Sequence, residues 1–380
     1  MFAGLRAVSP SCGNGVIDIW GFLPISFIKE TIIVVLPISF AFIAALLFGL
    51  ATPISKVLLE GISPFQLAGL LYLGAALVLV PKVIKERGLK KVIRMNSTNK
   101  LRVLGAVLFG GIGGPVALLF GLKLASASSV SMWLNLELVF TALLGHYIFK
   151  DYLGKLGWIG SFGAVLAAVL LSWQGGIAGI QAGLFVALAC LLWGFDNHFT
   201  ALIDEISPQT NTFLKGLFAG SINLTIGLLI ASYGANWQQT TGALVLGAFS
   251  YGISIALYIA AAQGIGATRS QIIFASAPFF GVGASVLILG EVLTLVQIVA
   301  AVILVLFLVP LLMDSHLHNH YHREQVHEHI HRHDEAHHEH IHRGINVPGW
   351  VPHTHEHKHD EATHSHSHLP DIHHRHKHDD

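Results

Sequence analysis

Apolar runs of about twenty residues recur from residue 33 to residue 313. A helix needs about 20 such residues to cross the hydrocarbon core of a bilayer. Within that core every backbone polar group must be bonded inside the protein, so the runs are expected to be helices. They fall at 33–56, 64–81, 101–122, 128–149, 156–173, 180–203, 212–233, 242–263, 270–290 and 292–313. Each is apolar on all sides, whereas the outer helices of a large soluble protein carry a polar face. The expected fold class is therefore an all-α integral membrane protein with ten transmembrane helices.

Charge divides the chain in two. Only 12% of residues are charged, against about 25% in soluble domains. Residues 314–380 hold 12 acids and 6 Lys/Arg, while the preceding residues hold 10 acids and 16 Lys/Arg. The zero net charge is a cancellation between a basic body and an acidic tail. Lys and Arg concentrate in cytoplasmic loops. Eight of them lie in residues 82–102, and placing that segment in the cytoplasm puts 14 inside and 2, Lys56 and Lys123, outside. Both termini then face the cytoplasm. Residues 1–32 read as a short cytoplasmic segment without the layout of a cleaved signal peptide. Cys12 and Cys190 form no disulfide framework.

The body repeats itself. Leu46-Leu47-Phe48-Gly49 matches Leu191-Leu192-Trp193-Gly194, and Ile62-Ser63-Pro64 matches Ile206-Ser207-Pro208. Lys150-Asp151-Tyr152-Leu153 occupies the place of Gly290-Glu291-Val292-Leu293. The halves are residues 33–173 and 174–313. Five helices is an odd number, so the second half is expected upside down relative to the first. Inverted repeats are common in secondary transporters, with substrate bound near the midplane between them. A duplicated membrane domain can also be a scaffold.

The paired segments 125–153 and 265–293 carry a resemblance to a known family. The stretch Leu136-Glu137-Leu138-Val139-Phe140-Thr141-Ala142-Leu143-Leu144 is similar to the Leu-Glu-Pro-hydrophobic stretch of EamA-type members of the drug/metabolite transporter superfamily. Gly266-Ala267-Thr268-Arg269 and Gly290-Glu291 are similar to that family's signature at the ninth helix. Leu138 stands where the family often has proline, which Pro278 keeps in the second copy. The resemblance covers residues 35–312 and implies ten helices and ATP-independent transport of small solutes. Consistent with that, no GxxxxGK[ST] phosphate loop is present, and no nucleophile–base set suggests an enzyme. The expected location is the plasma membrane of a bacterial or archaeal cell.

Ionisable residues at bilayer depth are costly and usually face a cavity or a partner. Glu137, with Asn135 beside it and Thr141 one turn on, reads either as a carboxylate linked to a moving proton or cation, or as a hydrogen-bonded packing residue. Asp196, Asn197 and His198 lie in the inner third of the sixth helix, and their repeat partners include Thr52 and Pro53. Residues two apart on a helix do not share a face. Asp196 and His198 would hold one ion only if the helix unwinds; otherwise they are interfacial. His146 reads as an interfacial histidine or a ligand. Lys56, Glu60 and Lys123 read as snorkelling residues or an outer gate. Gly110, Gly111, Gly113 and Gly114 read as packing residues.

Of the 25 histidines, 23 lie between His316 and His378. Neutral imidazoles bind zinc, nickel and cobalt. His327, His329, His331, His333, His338, His340 and His342 recur 26 residues on as His353, His355, His357, His359, His364, His366 and His368. The tail is expected to be disordered without metal, with two copies that each load divalent metal, joined by the Pro- and Gly-bearing linker 344–352. Expected partners are the lipid bilayer, a small-molecule or ion substrate and divalent metal, with homodimerisation open and no nucleic acid. No cofactor is required. The sequence leaves open whether metal is cargo or regulator. It also leaves room for a metabolite exporter with an incidental tail, and for a membrane-anchored metal buffer.

Overall fold

The computed structural model describes residues 25–149, 153–265, 270 and 273–312, and in the tail 316–322, 325–331, 353–359 and 362–368. Among the described residues, eight helices are long and apolar enough to cross a membrane: α1 Leu36–Leu58, α2 Pro64–Lys85, α3 Ser97–Leu124, α4 Ala127–Phe149, α5 Lys155–Gln174, α6 Gly176–Ala201, α7 Pro208–Ile230 and α8 Trp237–Ala261. Two shorter apolar helices follow, α9 Ala277–Leu289 and α10 Leu295–Val309. The eight fall on the first eight runs expected from the sequence, and the two shorter helices lie within the last two runs. Helical backbone extends before α1 to Ile25.

The bundle exposes large apolar side chains and buries polar ones within a mostly apolar core. Leu287 is 86% exposed and Leu229 81%, whereas Asn223 is 0% and Asn135 2%. This distribution suits a solvent of hydrocarbon, in which polar groups gain by facing one another.

Helix starts follow from sequence. Ser63 caps α2 and Ser207 caps α7, each followed by proline in the first turn, where the missing N–H costs nothing. These equivalent helices pack antiparallel. Gln66, at the start of α2, donates to Gly227 and Ala231 at the end of α7, at 3.1 and 3.0 Å. At the other end the Ser207 hydroxyl donates to the Glu86 carboxylate at 2.6 Å. The repeat is thus inverted. Equivalent pairs also meet as α4 with α9 and α5 with α10. The α3–α6 contact is answered by α8–α1, and α4–α6 by α9–α1.

Small residues set the closeness of these contacts, as expected for Gly110, Gly111, Gly113 and Gly114. A Cβ at Gly110 would collide with Asp196, and one at Gly111 would fall 2.5 Å from the Ala219 Cβ.

In the tail, β1 His316–His322 pairs antiparallel with β4 Ala362–His368, and β2 Gln325–His331 with β3 His353–His359. The expectation of a disordered tail is corrected over these segments. The residues alternating with histidine include Tyr321, Val326, Ile330, Thr354 and Thr363, side chains that favour strands. His333, His338, His340, His342 and the linker 344–352 lie outside the described residues, as do Asp151 and Gly266 to Arg269.

Two measurements on purified protein in detergent test this packing. A Cβ at Gly247 would collide with the Leu71 carbonyl oxygen, while one at Gly283 meets nothing within 4 Å. Gly247→Ala is expected to cost about 1–3 kcal/mol, the usual range for overpacking. Gly283→Ala is expected to gain up to about 1 kcal/mol of helix propensity, so the two variants should shift the melting temperature in opposite directions. The second concerns Glu86. Burial pushes its carboxyl up, but the Ser207 hydroxyl and Lys82 outweigh that and hold it below the usual range. Its contribution is complete above the unfolded value near about 4.3 and is lost as pH falls through the lower folded value. Glu86→Gln should therefore be less stable than wild type near neutrality, and the gap should close on acidification.

Candidate transport site between the two halves

The helices are irregular at matching places in the two halves. In α3, residues Ala106–Gly113 form a π-helix, and in α8 Ala248–Ile253 do the same. Such bulges are frequent at functional sites. The cause in α3 is local. The Gly114 N–H bonds Phe109 rather than Gly110, and Pro115, next in line, has no N–H. The Gly110 carbonyl instead accepts from the Tyr72 hydroxyl at 2.7 Å and the Trp193 indole at 3.0 Å. The Gly111 carbonyl, which Pro115 cannot reach, accepts from Asn223 at 3.2 Å.

A second matched pair is a break. Helix α4 turns at Leu134–Asn135, and helical residues 273–274 are separated from α9 by a turn at 275–276. At the first break the Cys190 thiol donates to the Trp133 and Leu134 carbonyls at 3.7 and 4.0 Å. Cys190 therefore closes a break. The Asn135 amide donates to Met132 at 3.0 Å, and its side-chain oxygen is buried without a partner. Helix α1 also breaks, at Leu50, because Pro53 has no N–H for the Gly49 carbonyl. Its repeat mate α6 runs unbroken from Gly176 to Ala201.

The polar side chains gather on the α4–α6 seam. The Asn197 amide donates to Glu137 at 3.0 Å and to the Thr141 hydroxyl at 3.1 Å. Asn197 is exposed and Glu137 half-buried. His198 meets the Thr141 carbonyl at 2.9 Å and stacks on Phe149 with centroids 4.1 Å apart. Asp196 points to another side of α6. It bonds Lys215 of α7 at 2.8 Å and accepts from Thr200 at 3.0 Å, with both ion-pair side chains nearly buried. Tyr72 of α2 and Tyr251 of α8 lie with ring centroids 5.6 Å apart.

Residues 35–173 and again 181–313 match the EamA-like transporter family. The chain belongs to the EamA-like transporter family. This groups it with membrane proteins that move small solutes. A relative from Methanothermobacter thermautotrophicus, described as an uncharacterized transporter, is 24% identical over 282 residues, covering 69% of this chain and 81% of its own. A solved crystal structure of 15% identity shares the fold with a TM-score of 0.52, covering 72% of this chain and 96% of its own.

The structure sorts the residues singled out in this EamA-like chain. It joins Glu137, Thr141, Asn197 and His198, with Asn135 at the break just before. It separates Asp196 from His198, since α6 does not unwind, so the two do not share an ion. Thr52 and Pro53 are buried in the segment of α1 after its break, packed towards α8 and α9. His146 stands against Tyr147 and Trp158, at 5.0 and 5.7 Å between centroids. Among the described residues of the helical bundle no three metal-ligating side chains cluster. Lys56 does not snorkel freely; its ammonium donates to the Leu122 and Ala125 carbonyls at 2.6 and 2.9 Å, capping the end of α3.

Sequence reasoning missed Lys215, which it counted as a cytoplasmic charge. Its signal was depth: Lys215 lies two turns inside α7, and a buried cation calls for an acid on a neighbouring helix. Removing one partner of a buried ion pair costs about 3–5 kcal/mol, because the other charge is left unpaired. Lys215→Met should melt at a lower temperature in detergent than the Asp196→Asn/Lys215→Met double variant. A single variant as stable as the double would show that the pair is not desolvated.

Proposed function

We propose that this chain is a secondary transporter that moves a small solute between its two halves by alternating access. The observation that carries the reading is the polar seam between α4 and α6, Glu137 with Asn197 and Thr141, directly after the break in α4 at Leu134–Asn135. Broken helices at the midplane of inverted repeats are where transporters bind substrate and coupling ions. Glu137 supplies the carboxylate for a coupled proton or cation. Asn197 and Thr141 supply donors and an acceptor to a polar solute.

In this reading α9 and α10 also cross the plasma membrane, giving ten spans, and the 14-to-2 distribution of Lys and Arg places both termini in the cytoplasm. The tail there binds divalent metal, zinc, nickel or cobalt, and links transport to it. Metal acts as regulator rather than cargo. The acids and histidine singled out in α4 and α6 support this, because each has a separate partner: Asp196 is held by Lys215 of α7, His198 by Thr141 and Glu137 by Asn197.

Proteoliposomes test the reading. Vesicles carrying an internal pH dye are challenged with a panel of amino acids, nucleosides and organic cations, and parallel vesicles carry a metal-sensitive dye. The full chain should show solute-dependent proton or cation flux, reduced at least tenfold in Glu137→Gln. Zinc, nickel or cobalt should change that flux only when residues 314–380 are present. Metal uptake by vesicles of the tail-less chain would make metal the cargo. Equal flux with and without metal in the full chain would make the tail incidental.

A further inference from the structure

The tail's sequence repeat suggests two metal-binding copies, one before the linker and one after it. The strand pairing divides the histidines differently. β1 pairs with β4 so that His316 faces His368, His318 faces His366 and His320 faces His364. β2 pairs with β3 so that His327 faces His357, His329 faces His355 and His331 faces His353. Both pairings keep one register, since His322 faces Ala362 and Gln325 faces His359. The chain on either side of the linker is laid antiparallel, histidine against histidine.

Residues directly opposite in an antiparallel pair lie on the same face, and so do residues two apart on one strand. His316, His318, His320, His322, His364, His366 and His368 therefore share one face of the first ribbon. His327, His329, His331, His353, His355, His357 and His359 share one face of the second. Each ribbon carries seven histidines on one face, three pairs of them directly opposed. Opposed Cβ atoms in such a ladder are about 4.5–5.5 Å apart, and neighbours along a strand about 6.6 Å. Two successive pairs thus set four histidine positions at the corners of a rectangle on one face of the ribbon, and four nitrogen donors is the number a tetrahedral zinc site takes.

We propose that each ribbon is one divalent-metal site, built from one strand before the linker and one after it, so that the second copy of the sequence repeat is divided between the two sites and neither copy is a site by itself. The inference rests on the tail-binding reading above and gives it an architecture. Two further features fit it. An isolated two-stranded ribbon is marginal in water, and β2–β3 sets Glu328 opposite Glu356, like charges that oppose pairing. Metal bound across the strands supplies the missing stability, since ligation energy is folding energy when the site forms with the fold.

The test is a cobalt titration of the full chain in detergent, followed by the ligand-field absorption of tetrahedral Co²⁺ and by equilibrium dialysis. Three triple variants remove the histidines of one strand each: H327A/H329A/H331A, H353A/H355A/H357A and H364A/H366A/H368A. The first and second should each remove one tight site, and combining them should remove no more than either alone. The second and third together should remove both sites. The reverse pattern, additive loss for the first with the second and shared loss for the second with the third, would assign the sites to the sequence copies and overturn the proposal. So would a graded loss without discrete sites, or no loss at all. Absence of cobalt binding by the wild-type chain would instead overturn the tail-binding reading on which the proposal stands.

Discussion

The constraint on which the rest of this structure depends is that a backbone carbonyl inside a lipid bilayer must find a donor within the protein. A regular helix meets that demand by itself. This chain departs from regular helix in α1, α3, α4 and α8 and between residues 273–274 and α9, and the departures free carbonyls that other helices must satisfy. Tyr72 and Trp193 converge on Gly110, Asn223 reaches Gly111, and the Cys190 thiol covers Trp133 and Leu134. Several buried polar side chains of the bundle are thereby explained without substrate. Removing them from consideration isolates Glu137 and Thr141, which the Asn197 amide bridges.

Glycine and proline set where the irregularities fall. Phe109-Gly110-Gly111-Ile112-Gly113-Gly114-Pro115 combines a missing donor with a surface flat enough for Asp196, Trp193 and Ala219 to approach. Pro53 breaks α1, whereas the repeat-related position in α6 lacks proline and the helix continues. The sequence repeat and the structural repeat are therefore the same event read at different resolution.

Much of this was legible in the residues. Apolar runs gave the helices because length and hydropathy suffice in a bilayer, and the odd helix count gave the inversion that α2 and α7 display. Glu137 and Asn197 were found because a polar residue in an apolar run is conspicuous. Their mutual bond was not, because it depends on the rotation of α4 against α6. Lys215 was misread for a related reason. A lysine near a helix end is ordinarily interfacial, and only the position of Asp196 on the neighbouring helix shows that it turns inward. In the tail, alternation of histidine with strand-forming residues was visible, but composition favoured disorder, and the cross-strand register cannot be inferred from a repeat that suggests a metal site within each copy.

The division of these contacts between the halves bears on how a cycle would run. Asp196 and Lys215 both belong to the second half, so a relative movement of the halves leaves their ion pair intact. Glu137 and Thr141 belong to the first half, and Asn197 and His198 to the second. Any rocking of one half against the other must stretch those bonds. The scaffold is symmetric in its contacts, since α2–α7, α4–α9 and α5–α10 are contacts between equivalents. The seam is not symmetric, because α1 has no counterpart to Asp196, Asn197 and His198. In the proposed cycle the carboxylate of Glu137 is therefore held by Asn197 in one state and released to solute or proton in the other, and the ion pair beside it keeps α6 and α7 moving as one body.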